Sequence, residues 1–285
     1  MPPELDLAFV DRPQITGDPD ENLFEETTVQ RLENLGYRCL DGRKLRDPDA
    51  FPETEVVHRP TLRQFFREQY PFLDSTALTQ AVQRVANPDG VELIQRNKEA
   101  HHLITKGFEL AYEAEDGSEA YEHVYPIDWE SPTENEFWVV QQLPVHGDND
   151  RRPDLIIYVN GLPLVTFELK SPYREEVDVE NAFNQLQHYR QELSRLFTFN
   201  AFCVLSDGQK TLHGVHSASR EWFKPWMSAD GETVADEKKQ SMRMLIRGLF
   251  PKDRLLHYVR NFIVHENTGG GIRKKGALYH QFFGV

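Results

Sequence analysis

The sequence predicts an α/β fold: a mixed sheet of four to five strands flanked by helices, with helical additions at both ends. Three observations carry this. Five short runs, FELAYEA (108–114), FWVVQQLPV (137–145), DLIIYV (154–159), LPLVTFELK (162–170) and AFCVLSD (201–207), have the length and the β-branched or aromatic content of strands. Between the last two lies VDVENAFNQLQHYRQELSRLF, with apolar residues at 179, 182, 183, 186, 193, 196 and 197, which is a helical stripe. Strand–helix–strand in that order is the pattern of a parallel crossover.

The elements follow in chain order. Residues 1–22 are rich in Pro and Asp and read as an extended arm. FEETTVQRLENLG then predicts a helix over 23–35, acidic in its first turn, with Phe24, Thr28, Leu32 and Leu35 on one face and Gly36 ending it. Residues 61–69, 75–86 and 91–106 are further helices, the second capped by Asp74-Ser75 and closed before Asn87-Pro88-Asp89-Gly90. Arg59, Arg63 and Arg67 recur every four residues along the first of these, as a solvated face or a local basic patch. After the strands, 217–241 reads as a surface excursion, RMLIRGLFPKDRLLHYVRNFIV as a helical ending, and HENTGGGIRKKG as a flexible linker. The expected division is an arm (1–22), a central domain (23–215), and an excursion, helical extension and linker (216–285).

At 285 residues, 39% of them hydrophobic, the chain can bury a substantial core. Mean hydropathy is -0.60, and no run approaches the roughly 20 apolar residues that span a bilayer. The N-terminus lacks a basic region followed by an apolar stretch, so a secretory signal is not expected. Two cysteines, Cys39 and Cys203, exclude a disulfide framework and a Cys-rich zinc site. The expected compartment is the cytoplasm, with no membrane partner. A formal charge of -14 argues against tight, non-specific binding to DNA by the surface as a whole.

The chemistry concentrates in RPDLIIYVNGLPLVTFELKSP, residues 152–172, a hairpin around Asn160-Gly161 with an acid at one open end and Glu-x-Lys at the other. A three-residue loop would oppose Asp154 to Glu168. A strict two-residue turn would oppose Asp154 to Phe167, so the pairing requires a longer loop, a bulge or a flared end. Glu168 and Lys170 share a strand face whatever the turn does, and Leu169 points the other way, into the core. Two carboxylates and a lysine converging in an interior are costly unless neutralised. Mg²⁺ would do this, using oxygen ligands from Asp154, Glu168 and the Leu169 carbonyl and keeping waters for a phosphate. Lys170 would orient or help deprotonate water, the parts for phosphodiester hydrolysis. The alternative is a structural ion cluster at a sheet edge.

Pro153-Asp154 followed by Glu168-Leu169-Lys170 resembles the PD-(D/E)XK nuclease motif. Gln185 and Tyr189, a Q-x-x-x-Y in NQLQHYR, resemble the extra motif on the helix after the catalytic strand in a subset of these nucleases. With RNKEAHHLITKGFEL, NEFWVVQQLPV, VRNFIVHE and KKGALYHQFFGV, the chain is similar to the restriction subunit of Type I restriction-modification enzymes, least clearly over 1–22 and 217–241.

That resemblance implies a restriction-endonuclease-like fold and Mg²⁺-dependent cleavage of double-stranded DNA, with Mn²⁺ able to substitute. It implies Asp154 and Glu168 as metal ligands, Lys170 as the catalytic lysine, and Gln185 and Tyr189 as helpers facing DNA or the site. It also suggests an acid on the first helix, Glu25 or alternatively Glu26, and a DNA phosphate contact for Arg152. Methyltransferase and specificity subunits would be the partners, and ATP would serve only a following motor part. No G-x-x-x-x-G-K-[ST] occurs, so ATP hydrolysis is not expected of this chain itself. Two alternatives stay open: another nuclease on the same fold, of resolvase or repair type, and a non-catalytic interaction domain. His101-His102 reads as a helix-terminus or packing pair, and Trp222 and Trp226 as a small satellite cluster.

Overall fold

The computed structural model describes residues 19–170, 178–235 and 241–285. In chain order it runs α1 (Pro19–Glu33), β1 (Arg38–Asp41), α2 (Gly42–Leu45), α3 (Arg59–Gln69), α4 (Ser75–Ala86), α5 (Leu93–Lys106), β2 (Phe108–Glu113), β3 (Glu119–Val124), β4 (Phe137–Gln141) and β5 (Leu155–Val159). It continues with β6 (Leu162–Leu169), α6 (Val179–Glu192), α7 (Ser194–Phe199), β7 (Phe202–Ser206), β8 (Thr211–Gly214), α8 (Ser241–Leu249), α9 (Lys252–Asn261), β9 (Ile263–Thr268), β10 (Gly271–Gly276) and α10 (Tyr279–Phe283).

One sheet of six strands, ordered β1-β4-β5-β6-β7-β8, forms the centre. β1 with β4 and β6 with β7 are parallel pairs; the others are antiparallel. This is the mixed, helix-flanked sheet of an α/β restriction-endonuclease-like fold. The membership differs from the expectation: the 108–114 run, β2, pairs only with β3 in a separate two-stranded sheet, while β1 and β8 join the centre although, at four residues each, they are too short for a periodicity to register. β4 to β7 are buried along their whole length, as strands in the middle of a covered sheet must be. Each fully buried Phe, Leu or Ile there contributes about 2 kcal/mol relative to exposure.

The predicted crossover is present: α6 and α7 carry the chain from β6 to β7 and pack against both strands or their neighbours. Asp178 starts α6 by accepting from the Glu180 and Asn181 amides, and Asp74 starts α4 in the same way from Thr76 and Ala77. The first helix begins at Pro19, inside the expected arm; residues 1–18 of that arm lie outside the described residues.

The hairpin register has a specific cause. Asn160 and Gly161 both have positive φ, +49° and +82°, which makes a two-residue turn of the I′ kind. From it, Val159 pairs with Leu162 and Tyr158 with Pro163, but Ile157 pairs with Val165, so Leu164 is an inserted bulge residue. Pro163 has no N–H to give the ladder, and bulges are where a central strand tolerates proline. The carbonyl of Leu164 accepts from Ala201 N at 2.6 Å. Beyond the bulge Ile156 pairs with Thr166 and Leu155 with Phe167, and continuing that register by one step sets Asp154 level with Glu168. A β-bulge therefore satisfies the requirement that the sequence left open.

Three expectations are corrected at the C-terminal side. HENTGGGIRKKG is no linker: β9 and β10 form an antiparallel hairpin turning at Gly269-Gly270. Lys274 on it is 3% exposed and donates to Asn200 O at 2.5 Å, while His265 Nε2 bonds Asn97 Oδ1 at 3.0 Å. The glycines and charges suggest flexibility, but here they make a tight turn and a buried polar anchor. The 217–241 segment, whose residues 236–240 lie outside those described, is likewise rooted in the core through Phe223 and Trp226. The tryptophans do not form a satellite pair: Trp226 packs against His213, Tyr258, Phe282 and Phe283, whereas Trp222 is exposed. His101 has the expected packing role, with Nε2 3.0 Å from Val259 O. Among the described residues no helix is long and apolar enough to cross a membrane.

Candidate active site at the open end of the hairpin

The turn of the β5–β6 hairpin is buried and fixed. Asn160 Oδ1 accepts from Glu136 N, its Nδ2 donates to Pro126 O and Asn135 Oδ1, and Gly161 O accepts from His58 N at the start of α3. The open end therefore has a defined position. Glu168 is wholly buried, Leu169 is buried on the other face, and the Lys170 side chain is 15% exposed.

Lys170 Nζ donates to Glu168 Oε1 at 2.5 Å and to Gln185 Oε1 at 2.7 Å. Gln185 Nε2 in turn donates to the Tyr189 hydroxyl at 2.6 Å. The i, i+4 spacing on α6 thus makes a relay of contacts from Tyr189 through Gln185 and Lys170 to Glu168. Burial first, and then the charges of Glu168 and Asp154, push the Tyr189 hydroxyl well above its ordinary pKa, so it stays protonated.

Asp154 Oδ2 accepts from Leu169 N at 2.7 Å. Lys170 N donates to Ser206 O on β7, whereas the Leu169 N–H faces the opposite edge of β6. A residue's N–H and C=O leave a strand on the same edge, so the Leu169 carbonyl faces the Asp154 side, where β5 has ended.

Glu25, on α1, is 2% exposed; Glu26 is only half-buried. Glu25 reaches the hairpin through two amides that the sequence reading missed. Gln141 Nε2 donates to Glu25 Oε1 and Gln142 Nε2 to Glu25 Oε2, each at 3.1 Å, and Gln142 Nε2 also lies 3.4 Å from Asp154 Oδ1. The available signal was a Gln-Gln pair closing an otherwise apolar strand, where a buried amide must find partners. Arg152 is exposed beside Asp154, and its neighbour Arg151 forks onto Glu192 at 2.6 and 2.9 Å. Residues 171–177, directly after Lys170, lie outside the described residues. Arg63, from the spaced arginines of α3, is used locally, on Thr79 and Ser75.

The donor set can be tested against a hard divalent ion. Among the described residues no three His, Cys, Asp or Glu side chains group closely enough to hold a metal. Asp154, Glu168 and the Leu169 carbonyl nevertheless make an all-oxygen set of two acids and a backbone group. That fits Mg²⁺, which binds through one or two carboxylates and retains waters.

Residues 20–222 match the family described as Type I restriction enzyme R protein N terminus. The chain is 35% identical over 281 residues to the Type I restriction enzyme HindI endonuclease subunit of Haemophilus influenzae, covering 93% of this chain and 26% of that protein. It is 28% identical over 290 residues to the putative Type I restriction enzyme MjaIXP endonuclease subunit of Methanocaldococcus jannaschii, covering 93% and 27%. Against the Type I restriction enzyme SauMSSORF170P endonuclease subunit of Staphylococcus aureus the identity is 36% over 198 residues, covering 67% and 19%. The chain thus spans roughly a quarter of the length of the first two relatives. On the family match and the HindI similarity together, this chain belongs to the Type I restriction enzyme R protein N-terminus family.

Proposed function

We propose that this chain is the Mg²⁺-dependent endonuclease part of a Type I restriction enzyme, cleaving double-stranded DNA without sequence preference at the cut. The carrying observation is the meeting of Asp154, Glu168 and Lys170 at one hairpin end, with Gln185 holding the lysine. Bound Mg²⁺ would neutralise the two carboxylates and draw charge from the scissile phosphate; Mn²⁺ would substitute.

The chain's own residues supply the rest. Asp154, Glu168 and the Leu169 carbonyl would hold the ion. Lys170 faces the water and the phosphate, orienting the one and balancing charge on the other. Gln185 and Tyr189 keep the ammonium aimed, and Arg152 meets a DNA phosphate. Water oxygen bonds to phosphorus as the water gives a proton to solvent, the bond from phosphorus to the 3′ oxygen breaks, and that oxygen takes a proton from solvent, leaving a 5′-phosphate and a 3′-hydroxyl. Glu25 acts at one remove, through Gln142.

The partners in this reading are methyltransferase and specificity subunits, with ATP used by a motor part of the longer polypeptide. The formal charge of -14 then has a use: weak unaided binding keeps cleavage dependent on DNA held elsewhere in the complex. A tight, salt-insensitive complex between this chain and bare duplex DNA would contradict that.

The test is Lys170→Ala in the full-length protein assembled with its partner subunits, following plasmid cleavage and DNA-stimulated ATP hydrolysis together. Cleavage lost with ATP hydrolysis retained supports the assignment. Unchanged cleavage, or loss of both activities, overturns it in favour of a structural or coupling role.

A further inference from the structure

Gln142 stands one residue beyond β4 with a backbone φ of +50°. That is the left-handed region, unfavourable for a residue with a long side chain and taken more readily by Gly or Asn. Strain of this kind persists where the surroundings over-determine it. The glutamine side chain has a defined task there. Its amide donates to Glu25 Oε2 at 3.1 Å and, more loosely, to Asp154 Oδ1 at 3.4 Å, which uses both N–H bonds of the group. The backbone N–H of the same residue donates to Asp154 O at 3.0 Å. Leu169 N holds the other carboxylate oxygen of Asp154, and Gln141 holds the other oxygen of Glu25.

We infer that Gln142 is a positioning residue of this site, fixing the Asp154 carboxylate and joining Glu25 of α1 to it. The inference rests on the nuclease reading above. A neutral amide suits the task. A lysine there would cancel the negative charge that a divalent cation needs, and a glutamate would repel both acids. With this left-handed backbone, both the N–H and the side-chain amide of Gln142 meet Asp154.

The experiment uses the full-length protein without nucleotide, with Mn²⁺ as the probe. Mn²⁺ binding is measured by calorimetry and the melting temperature is measured without metal. Gln142→Gly removes the amide and relieves the backbone, Gln142→Asn keeps an amide on a shorter arm, and Asp154→Ala serves as the reference. The expected result is that Asp154→Ala abolishes binding. Gln142→Gly should melt close to the native temperature yet bind Mn²⁺ about tenfold more weakly, as loss of a ligand-orienting hydrogen bond does. Gln142→Asn should fall between. Native-like Mn²⁺ binding by Gln142→Gly, with binding lost in Asp154→Ala, overturns the positioning role and leaves the nuclease reading standing. Native-like binding by Asp154→Ala removes the metal site itself, and the inference with it. Melting temperatures lowered in both Gln142 variants would mark a structural residue and overturn the inference too.

Discussion

Lys170 donates to Glu168 across 2.5 Å, with the lysine side chain 15% exposed and the glutamate wholly buried. The pair is a counter-charge arrangement in an interior, so removing one member costs more than its hydrogen bond. Lys170→Ala should destabilise the metal-free protein by about 3 kcal/mol, the usual cost of stripping one partner from a buried ion pair. Adding Glu168→Gln to it should recover part of that loss, and Mg²⁺ should recover part of it in Lys170→Ala alone. Urea unfolding of the single and double variants, with and without Mg²⁺, checks all three. Additive losses in the double variant would show that the pair is not coupled.

Gly161 locks the far end of the same hairpin. Its φ is +82°, and a Cβ there would stand 2.4 Å from His58 O. Gly161→Ala should therefore cost about 3 kcal/mol, strain and collision combined. The loss should appear as a lower denaturant midpoint with an unchanged slope.

Tyr189→Phe removes one hydroxyl from the line running through Gln185 to Lys170. Folding stability should fall by about 1 kcal/mol, the net worth of a hydrogen bond. Cleavage by the assembled enzyme should slow by about tenfold, as for a residue that orients a functional group. The alkaline limb of the rate–pH profile should not move, because burial and the neighbouring carboxylates hold the Tyr189 proton far above the working range. A shifted alkaline limb in Tyr189→Phe would show that the phenol titrates in the reaction.

Lys274 gives a pH prediction. Burial lowers its pKa from 10.5 to about 7, with Cys203 opposing the shift. Between those values the unfolded chain carries the proton and the folded one does not, so stability rises with pH from about 7 to 10.5. Below about 7 both states are protonated and that contribution is gone. Asn200 O also accepts from Asn97 Nδ2 at 2.9 Å, so it keeps a donor when the lysine is removed. Lys274→Met should then stabilise the protein at pH 7 by about 2 kcal/mol, as replacing a buried charge with an apolar side chain commonly does. It should also flatten the rise toward alkaline pH. Unfolding midpoints at pH 7 and pH 9.5 for both proteins test this.

Much of the site was legible from local periodicity. Glu168 and Lys170 share a face because strand side chains alternate, and Gln185 meets Tyr189 because residues four apart adjoin on a helix. Asp74 caps its helix as its residue type suggests. The strand-like runs and the crossover between β6 and β7 followed from the same short-range patterns.

What the sequence by itself determined, then, was the set of polar groups that each element brings to the candidate site and the family they resemble, since those depend on spacings of two and four residues. The tertiary structure alone decided how the elements meet. It chose a bulge at Leu164 to bring Asp154 level with Glu168, and it buried Glu25 while leaving Glu26 half-buried. It brought Gln141 and Gln142 between α1 and the hairpin, and turned a glycine-rich, charged stretch into the buried β9–β10 anchor. Register, helix rotation and the burial of a single lysine are set by packing between residues far apart in the chain. No local pattern encodes them.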